Sequence, residues 1–120
     1  MPINPATFSI YQSEMGRYYL TFSGEFKKVT VVSQSFNSRS MLEQYLGHLR
    51  ETMAVASLSI NGSLPRLTIS NVQEQWYFEL RDYDDEIILT SIPFSDDGQC
   101  NEALKEFKHQ VGHARITDYV

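Results

Sequence analysis

The sequence predicts an α+β domain in which a unit of three strands, a helix and a further strand occurs twice. Period-two alternation gives way to helical spacing once in each half of the chain, and the apolar positions of the two halves coincide at an offset of 58 residues, as between Tyr18 and Trp76. Half of a 120-residue chain is also too small to bury a good core alone. We therefore expect a single domain over residues 1–120, with repeats at about 7–60 and 66–119. One antiparallel sheet carries two helices on one face.

The offset persists through strands and helix alike, and we interpret it as a tandem duplication. Tyr18-Tyr19-Leu20-Thr21-Phe22 resembles Trp76-Tyr77-Phe78-Glu79-Leu80. The same spacing pairs Val29 with Ile87, Val31 with Leu89, Ser33 with Ser91, Phe36 with Phe94, Leu46 with Leu104 and Leu49 with Phe107.

In the first half, alternation predicts strands at Thr7–Tyr11, Arg17–Phe22 and Lys28–Ser33, with turns at Met15-Gly16 and Ser23-Gly24. Their inward side chains are Phe8, Ile10, Tyr18, Leu20, Phe22, Val29 and Val31. The period then changes, and Ser40 with Glu43 fits a capping box. The helix that follows has an apolar stripe of Met41, Leu42, Tyr45, Leu46, Leu49 and Met53.

The second half repeats this order, with strands at Leu67–Ser70, Gln75–Arg81 and Glu86–Ser91. Asp96 and Asp97 suit the positive end of a helix dipole, and Gly112 is expected to end that helix. Its buried stripe comprises Cys100, Ala103, Leu104, Phe107 and Val111. Further strands are expected at Val55–Ile60 and Ala114–Tyr119, and a turn at Asn61-Gly62-Ser63-Leu64-Pro65.

These patterns together resemble the YegP-like family of small bacterial tandem-repeat proteins. The resemblance rests on the opening Phe8-Ser9-Ile10-Tyr11, on Trp76-Tyr77-Phe78 and on Ser91 before Phe94, and it extends through Cys100 to Ala114-Arg115-Ile116-Thr117-Asp118. It implies a β3-α-β unit present twice, in a single sheet whose final strands are exchanged between the repeats. Its motifs are structural, so the resemblance implies no activity.

Composition and charge limit the kinds of function and partner that the sequence supports. No apolar run approaches the roughly 20 residues of a membrane-spanning helix, the start of the chain lacks the pattern of a signal peptide, and Cys100 is the single cysteine. We expect a cytoplasmic protein with no membrane partner and no cofactor. The net charge is −5, and residues 61–120 carry 11 acidic against 5 basic side chains. An acidic surface repels phosphate backbones, so nucleic acid is an unfavoured partner.

No nucleophile stands out, and the sequence therefore favours a protein that is not an enzyme. Cys100 lies on the predicted buried stripe near Asp96, Asp97 and Glu102, which raise a thiol pKa. Ser33 and Ser91 end the third strands with no His-Asp pair placed by spacing, and we expect them to hydrogen-bond to the following loop.

One alternative is a metal-binding or enzymatic protein. His109 and His113 are four residues apart and Glu106 lies one turn earlier, a spacing that can place ligands on one helical face. Against this reading, Gly112 interrupts the helix between the two imidazoles, and His48 stands alone on the first helix. The acidic hairpin at 82–86 lacks the ligand ladder of a calcium loop.

The sheet face turned away from the helices is the strongest candidate surface. An open face with tyrosines and aliphatic side chains is typical of a docking site, so we expect a non-catalytic binding or assembly module that takes a protein partner or a second copy. The second alternative is single-stranded nucleic acid stacked on this face, with a basic patch of Arg17, Lys27, Lys28 and Arg39. The candidate binding residues are Tyr11, Tyr19, Tyr77 and Ile88, with Val32 and Ile92 beside them.

Overall fold

A computed structural model of the chain describes residues 5–24, 28–56 and 63–120. It has the predicted α+β architecture, and the order of three strands followed by a helix occurs twice. The elements are β1 (Thr7–Gln12), β2 (Tyr18–Ser23), β3 (Val29–Val32), α1 (Arg39–Ala56), β4 (Arg66–Val72), β5 (Gln75–Arg81), β6 (Ile87–Thr90), α2 (Asp97–Gln110) and β7 (Arg115–Asp118).

The strands form two sheets, so the expectation of one continuous antiparallel sheet is wrong. The first sheet has the order β3-β2-β1-β7 and the second β4-β5-β6. The last strand, β7, runs parallel to β1, with Phe8 opposite Ile116. The sheets meet where β3 approaches the end of β6, through a single bridge between Val31 and Ser91 and a 2.9 Å bond from the Ile92 amide to the Thr30 carbonyl. β3 and β6, each four residues long, therefore make no ladder with one another among the described residues.

A register shift in each sheet overturns the predicted orientation of two side chains. The ladder slips after Phe22 in the first sheet and after Leu80 in the second. Such a bulge moves the following residues to the opposite face, which alternation cannot anticipate. Val29, expected inside, is 38 % exposed, and Ile87 is 46 % exposed. Val31 and Leu89, which pair with Phe22 and Leu80 before the slip, are buried as predicted.

The hydrogen bonds around these bulges recur 58 residues later. The Ser33 amide donates to the Leu20 carbonyl at 2.8 Å, and the Ser91 amide to the Phe78 carbonyl at 2.9 Å. Tyr18 and Phe36 exchange two backbone bonds. Trp76 and Phe94 do the same. Positions that differ by 58 therefore occupy corresponding places in the two halves.

Among the described residues, one apolar cluster contains side chains from both sheets and both helices. Phe107 of α2 is fully buried between the sheets, with its ring 4.9 Å from that of Phe22 and 5.6 Å from that of Phe78. Leu42, Leu49 and Met53 bring the stripe of α1 into the same cluster. The interior thus contains side chains from residues on both sides of the chain midpoint.

The start of α2 agrees with the prediction that Asp96 and Asp97 lie at its N-terminal end, and the start of α1 corrects the predicted capping box. Asp96 caps α2, accepting a 2.8 Å bond from the Gln99 amide. Helix α1 is capped by Ser38, whose hydroxyl accepts from the Met41 amide at 3.2 Å, and Ser40 lies already inside the helix. Met41, expected on the buried stripe, is 48 % exposed.

The C-terminal end of α1 also differs from the prediction. The helix continues to Ala56, so Val55 and Ala56 are helical and do not begin a strand. The rest of that predicted strand, residues 57–60, and the first two residues of the predicted turn lie outside the described residues. β7 is observed within its predicted range.

Candidate functional site

Three tyrosines form a stacked row on the outer face of the first sheet. The rings of Tyr11 and Tyr19 are 5.5 Å apart at an interplanar angle of 24°. The ring of Tyr119 lies 5.0 Å from that of Tyr11 and is nearly parallel to it, at 4°. Tyr11 is thus covered on both faces, and Tyr119, 63 % exposed, ends the row in solvent. We call these three residues the tyrosine row.

Sheet register builds this row from three separate segments. Tyr11 and Tyr19 are direct cross-strand partners in the β1–β2 ladder, a position where aromatic side chains touch. Tyr119 follows β7, and its amide donates a 2.9 Å bond to the carbonyl of Ile10. That bond continues the parallel pairing of β7 with β1 and sets the third ring beside the first two.

The other two candidate binding residues lie away from the row. Tyr77 is on β5 in the second sheet, and its hydroxyl donates to the Gln75 side chain at 3.0 Å. Ile88 is on β6, where its carbonyl accepts a bond from Tyr45. The outer face is also less open than expected, because Ser9 and Thr21 on it are 7 % and 8 % exposed. Of the four candidate binding residues, the structure therefore brings only Tyr11 and Tyr19 into contact with each other.

The candidate metal ligands do not form a three-ligand site. His109 lies in the last turn of α2, and His113 comes after the helix, with its amide bonded to the Gln110 carbonyl at 3.0 Å. The Glu106 carboxylate lies against Gly24, where a Cβ would come within 1.8 Å of its oxygen. Within 5–24, 28–56 and 63–120, no group of three His, Cys, Asp or Glu side chains is placed to hold a metal ion.

The hydroxyls and the thiol that could have served as nucleophiles have structural roles. Ser91 is 6 % exposed, and its Oγ accepts the Phe78 amide at 3.0 Å and donates to the Ile92 carbonyl at 2.8 Å. Ser33 makes the corresponding pair of bonds, with the Leu20 amide and the Gln34 carbonyl. The predicted bonds to the following loop are therefore confirmed. Cys100 is fully buried, and burial, with Asp97 nearby, raises the pKa of its thiol.

Two arginines of the predicted basic patch are engaged by neighbouring groups. Arg39 bonds to the carboxylates of Glu43 and Asp118, and the guanidinium of Arg17 bonds to the Oγ and carbonyl of Ser35. The Arg39 bond, followed by the Val120 amide, holds the pKa of Asp118 below its ordinary value. Lys28 is exposed, and Lys27 lies outside the described residues. Of the three patch residues that the structure describes, Arg17 and Arg39 are therefore engaged by neighbouring groups and Lys28 is exposed.

The acidic hairpin uses its carboxylates to shape its own turn. Oδ1 of Asp82 accepts the amides of Asp84 and Glu86 at 2.9 and 3.0 Å. Arg81 donates to the Asp85 carbonyl at 3.1 Å. The acidic residues of this hairpin therefore serve to stabilise its turn through hydrogen bonds.

Sequence reasoning missed Tyr119 as a member of the row. Alternation placed it at the end of the last strand, and no local pattern indicates that this strand pairs with β1. The distinguishing signal is tertiary, because Tyr11 and Tyr119 are more than a hundred residues apart in the chain.

Comparisons with known proteins identify the fold. A scan against protein-family models finds no match, and neither does a search of curated protein sequences. Among solved structures, the chain is similar to the protein of unknown function YegP from E. coli, with 13 % identity, a TM-score of 0.77 and coverage of 99 % of this chain and 97 % of that one. It is also similar to a UPF0339 protein from Shewanella oneidensis, with 15 % identity, a TM-score of 0.73 and coverage of 94 % and 90 %.

Both likenesses extend over nearly the whole of each chain, so the entire arrangement of strands and helices is shared. At these identities the comparison concerns the fold alone. The resemblance read from the sequence is confirmed at that level. No helix in the described part of the chain is long and apolar enough to cross a membrane.

Proposed function

We propose that this protein is a non-catalytic binding module that docks a positively charged segment of another protein on the tyrosine row. The observation that supports this proposal most strongly is the continuous stack of Tyr19, Tyr11 and Tyr119, in which the last residue, Tyr119, is 63 % exposed. A cross-strand pair such as Tyr11 and Tyr19 is accounted for by sheet stability. Sheet stability does not account for the third ring, Tyr119, because it lies beyond the end of β7 and is exposed. Tyrosine is enriched in protein interfaces.

Charge favours a cationic partner. The chain carries 15 acidic and 10 basic side chains, so its long-range field attracts positive segments. Arginine side chains also stack on the faces of tyrosine rings, through cation–π attraction. One face of the Tyr119 ring is covered by the Tyr11 ring, so the other face is the one that a partner can contact.

The same charge argues against the nucleic-acid alternative. Residues 61–120 carry 11 acidic against 5 basic side chains, and an acidic surface repels phosphate backbones. The absence of catalysis is supported by the engaged hydroxyls of Ser33 and Ser91 and by the buried thiol of Cys100. The duplication, the exchange of final strands and a cytoplasmic location are further parts of this proposal.

A peptide titration tests the docking surface. The probe is an extended Arg-Val repeat peptide, with a Glu-Val repeat peptide of equal length as the charge control, and ring-proton shifts are followed by NMR. We expect the arginine peptide to shift the Tyr11, Tyr19 and Tyr119 rings and Tyr119→Ser to weaken binding at least threefold. Tyr83, 64 % exposed on the acidic hairpin, provides the matched control variant Tyr83→Ser, which should bind as the wild type does.

Two results would overturn the proposal. One is equal shifts with the two peptides, or none at the row. The other is a concentration-dependent dimer in sedimentation equilibrium that Tyr119→Ser dissociates, which would assign the row to a second copy of the chain.

A further inference from the structure

A cleft of about 470 Å³ lies between β3 and α2. Phe94 and Ala103, both buried, form its apolar wall, and Thr30 lines it from β3. None of these residues belongs to the tyrosine row, so the cleft is independent of the proposed docking surface.

The corresponding place in the first half is filled by a side chain of the protein itself. There Tyr45 of α1 packs its ring 5.0 Å from that of Phe36. Its hydroxyl reaches β6 and donates a 2.6 Å bond to the Ile88 carbonyl. A phenol thus lies between helix, strand and phenylalanine.

Phe36, Tyr45 and Ile88 each have a counterpart 58 residues away in the chain. Phe94 corresponds to Phe36, and both exchange a backbone bridge with the start of a central strand. Thr30 stands at the place of Ile88 on the third strand, and Ala103 at the place of Tyr45 on the helix. Since alanine has no side chain beyond Cβ, the space that a phenol ring occupies beside α1 is left as the cleft beside α2.

The hydrogen-bonding state of Thr30 indicates a missing polar partner at this place. Thr30 is 3 % exposed, yet its Oγ1 has no hydrogen-bond partner among the described residues. Buried hydroxyls are nearly always paired, and leaving one unpaired is unfavourable. In the other half, the Tyr45 hydroxyl bonds to the backbone carbonyl of the counterpart residue, Ile88. The Thr30 carbonyl already accepts the Ile92 amide, so the Thr30 hydroxyl is the unpaired group that a ligand can reach here.

We propose that the cleft binds a small phenolic molecule. Its ring lies against Phe94 and over Ala103, as the Tyr45 ring lies against Phe36, and its hydroxyl bonds at Thr30. The cleft is also lined by Lys28, Glu102 and Glu106, so acidic side chains outnumber the basic one and disfavour an anionic ligand, a condition that a neutral phenol meets.

The probe is p-cresol, which has the structure of a tyrosine side chain. It is titrated into the ¹⁵N-labelled full chain, and amide shifts are measured. We expect saturable shifts centred on Thr30, Phe94 and Ala103, in the millimolar range usual for so small a ligand. Ala103→Tyr supplies the missing ring from the protein and should weaken binding at least tenfold. Asn101→Tyr, at an exposed position of the same helix, should leave it unchanged.

Two further measurements separate the ring from its hydroxyl. Thr30→Val should weaken p-cresol at least threefold and leave toluene unaffected. Ala103→Leu, a smaller change, should still weaken both ligands at least threefold, and it replaces Ala103→Tyr should that variant fail to fold. Unsaturable shifts in the wild type, or equal affinity for p-cresol in the wild type and in the folded variant at 103, would overturn the proposal.

Discussion

The hydroxyl of Tyr45 donates a 2.6 Å hydrogen bond to the carbonyl oxygen of Ile88. Tyr45 lies on α1 and Ile88 on β6, so this bond ties the first helix to the second sheet close to the point where the two sheets meet. The bond is made at the rim of a narrow cleft between β3 and β6, which Tyr45 lines. One phenol therefore links the two halves through packing and through hydrogen bonding.

Replacing Tyr45 by phenylalanine should lower the free energy of unfolding by about 0.5–1.5 kcal/mol, the usual net contribution of one hydrogen bond. The ring contact with Phe36 is retained, so the effect reports on the hydroxyl. Urea unfolding at neutral pH measures it. A variant as stable as the wild type would show that the bond to Ile88 contributes nothing.

The same hydroxyl should make stability fall at alkaline pH. Burial raises the pKa of Tyr45 to about 12, whereas an unfolded tyrosine titrates near about 10. Because the folded pKa is the higher one, the contribution is complete below the unfolded pKa and is lost as pH rises through the folded pKa. The stability difference between wild type and Tyr45→Phe should therefore decline between these two pKa values. A pH-independent difference would contradict this.

Ser91→Ala should cost about 1–3 kcal/mol, because it leaves the buried Phe78 amide without its acceptor. Ser33→Ala is the matched variant, since Ser33 makes the equivalent bonds at a more exposed position. We expect a smaller cost there, because the bond between Ser33 and the Leu20 amide is only partly buried, whereas the bond between Ser91 and the Phe78 amide is buried. Chemical denaturation of both variants measures the two costs, and the reverse order would be inconsistent with the burial difference.

The two leucines at corresponding helix positions should respond unequally to truncation. The sequence alone assigns Leu46→Ala and Leu104→Ala the same cost of about 2–5 kcal/mol. Leu46 is 6 % exposed and Leu104 is only partly buried. We expect Leu46→Ala to fall within that range and Leu104→Ala below it. Costs below about 0.5 kcal/mol at both sites would mean that the buried helix faces are assigned wrongly.

Asp118→Asn should reduce the acid sensitivity of the protein. The bond to Arg39 lowers the pKa of Asp118, so its contribution is present above the unfolded pKa and is lost as pH falls through the folded one. The melting temperature of the wild type should exceed that of the variant at neutral pH, and the gap should close on acidification. High salt should narrow it too, because the pair is exposed.

A chain truncated after residue 61 should not form a stable monomer. It would lack β7, the parallel partner of β1, and Phe107, which packs between Phe22 and Phe78. We expect either an unfolded chain or a dimer in which a second copy replaces the missing half. Circular dichroism with sedimentation equilibrium distinguishes these results, and a stable folded monomer would refute the shared core.

Local pattern was sufficient for most of the secondary structure and for the buried stripes. Period-two alternation correctly predicts that Phe8, Ile10, Leu20 and Phe22 are buried, because strand side chains alternate in any sheet. Helical spacing likewise correctly predicts Leu42, Leu49 and Phe107.

What the sequence determined by itself is the order of strands and helices and which positions are apolar, since both follow from contacts within a few residues. The tertiary structure decided three features that no local pattern predicts. The register slips turn Val29 and Ile87 outward, β7 pairs with β1 and brings Tyr119 onto Tyr11, and Ala103 leaves open a space that Tyr45 fills on the other side. The slips arise where consecutive strands pair, the β7–β1 pairing joins the two ends of the chain, and the open space depends on the packing around α2. None of these is visible in a local hydrophobic period, which records only which side chains of one segment share a face.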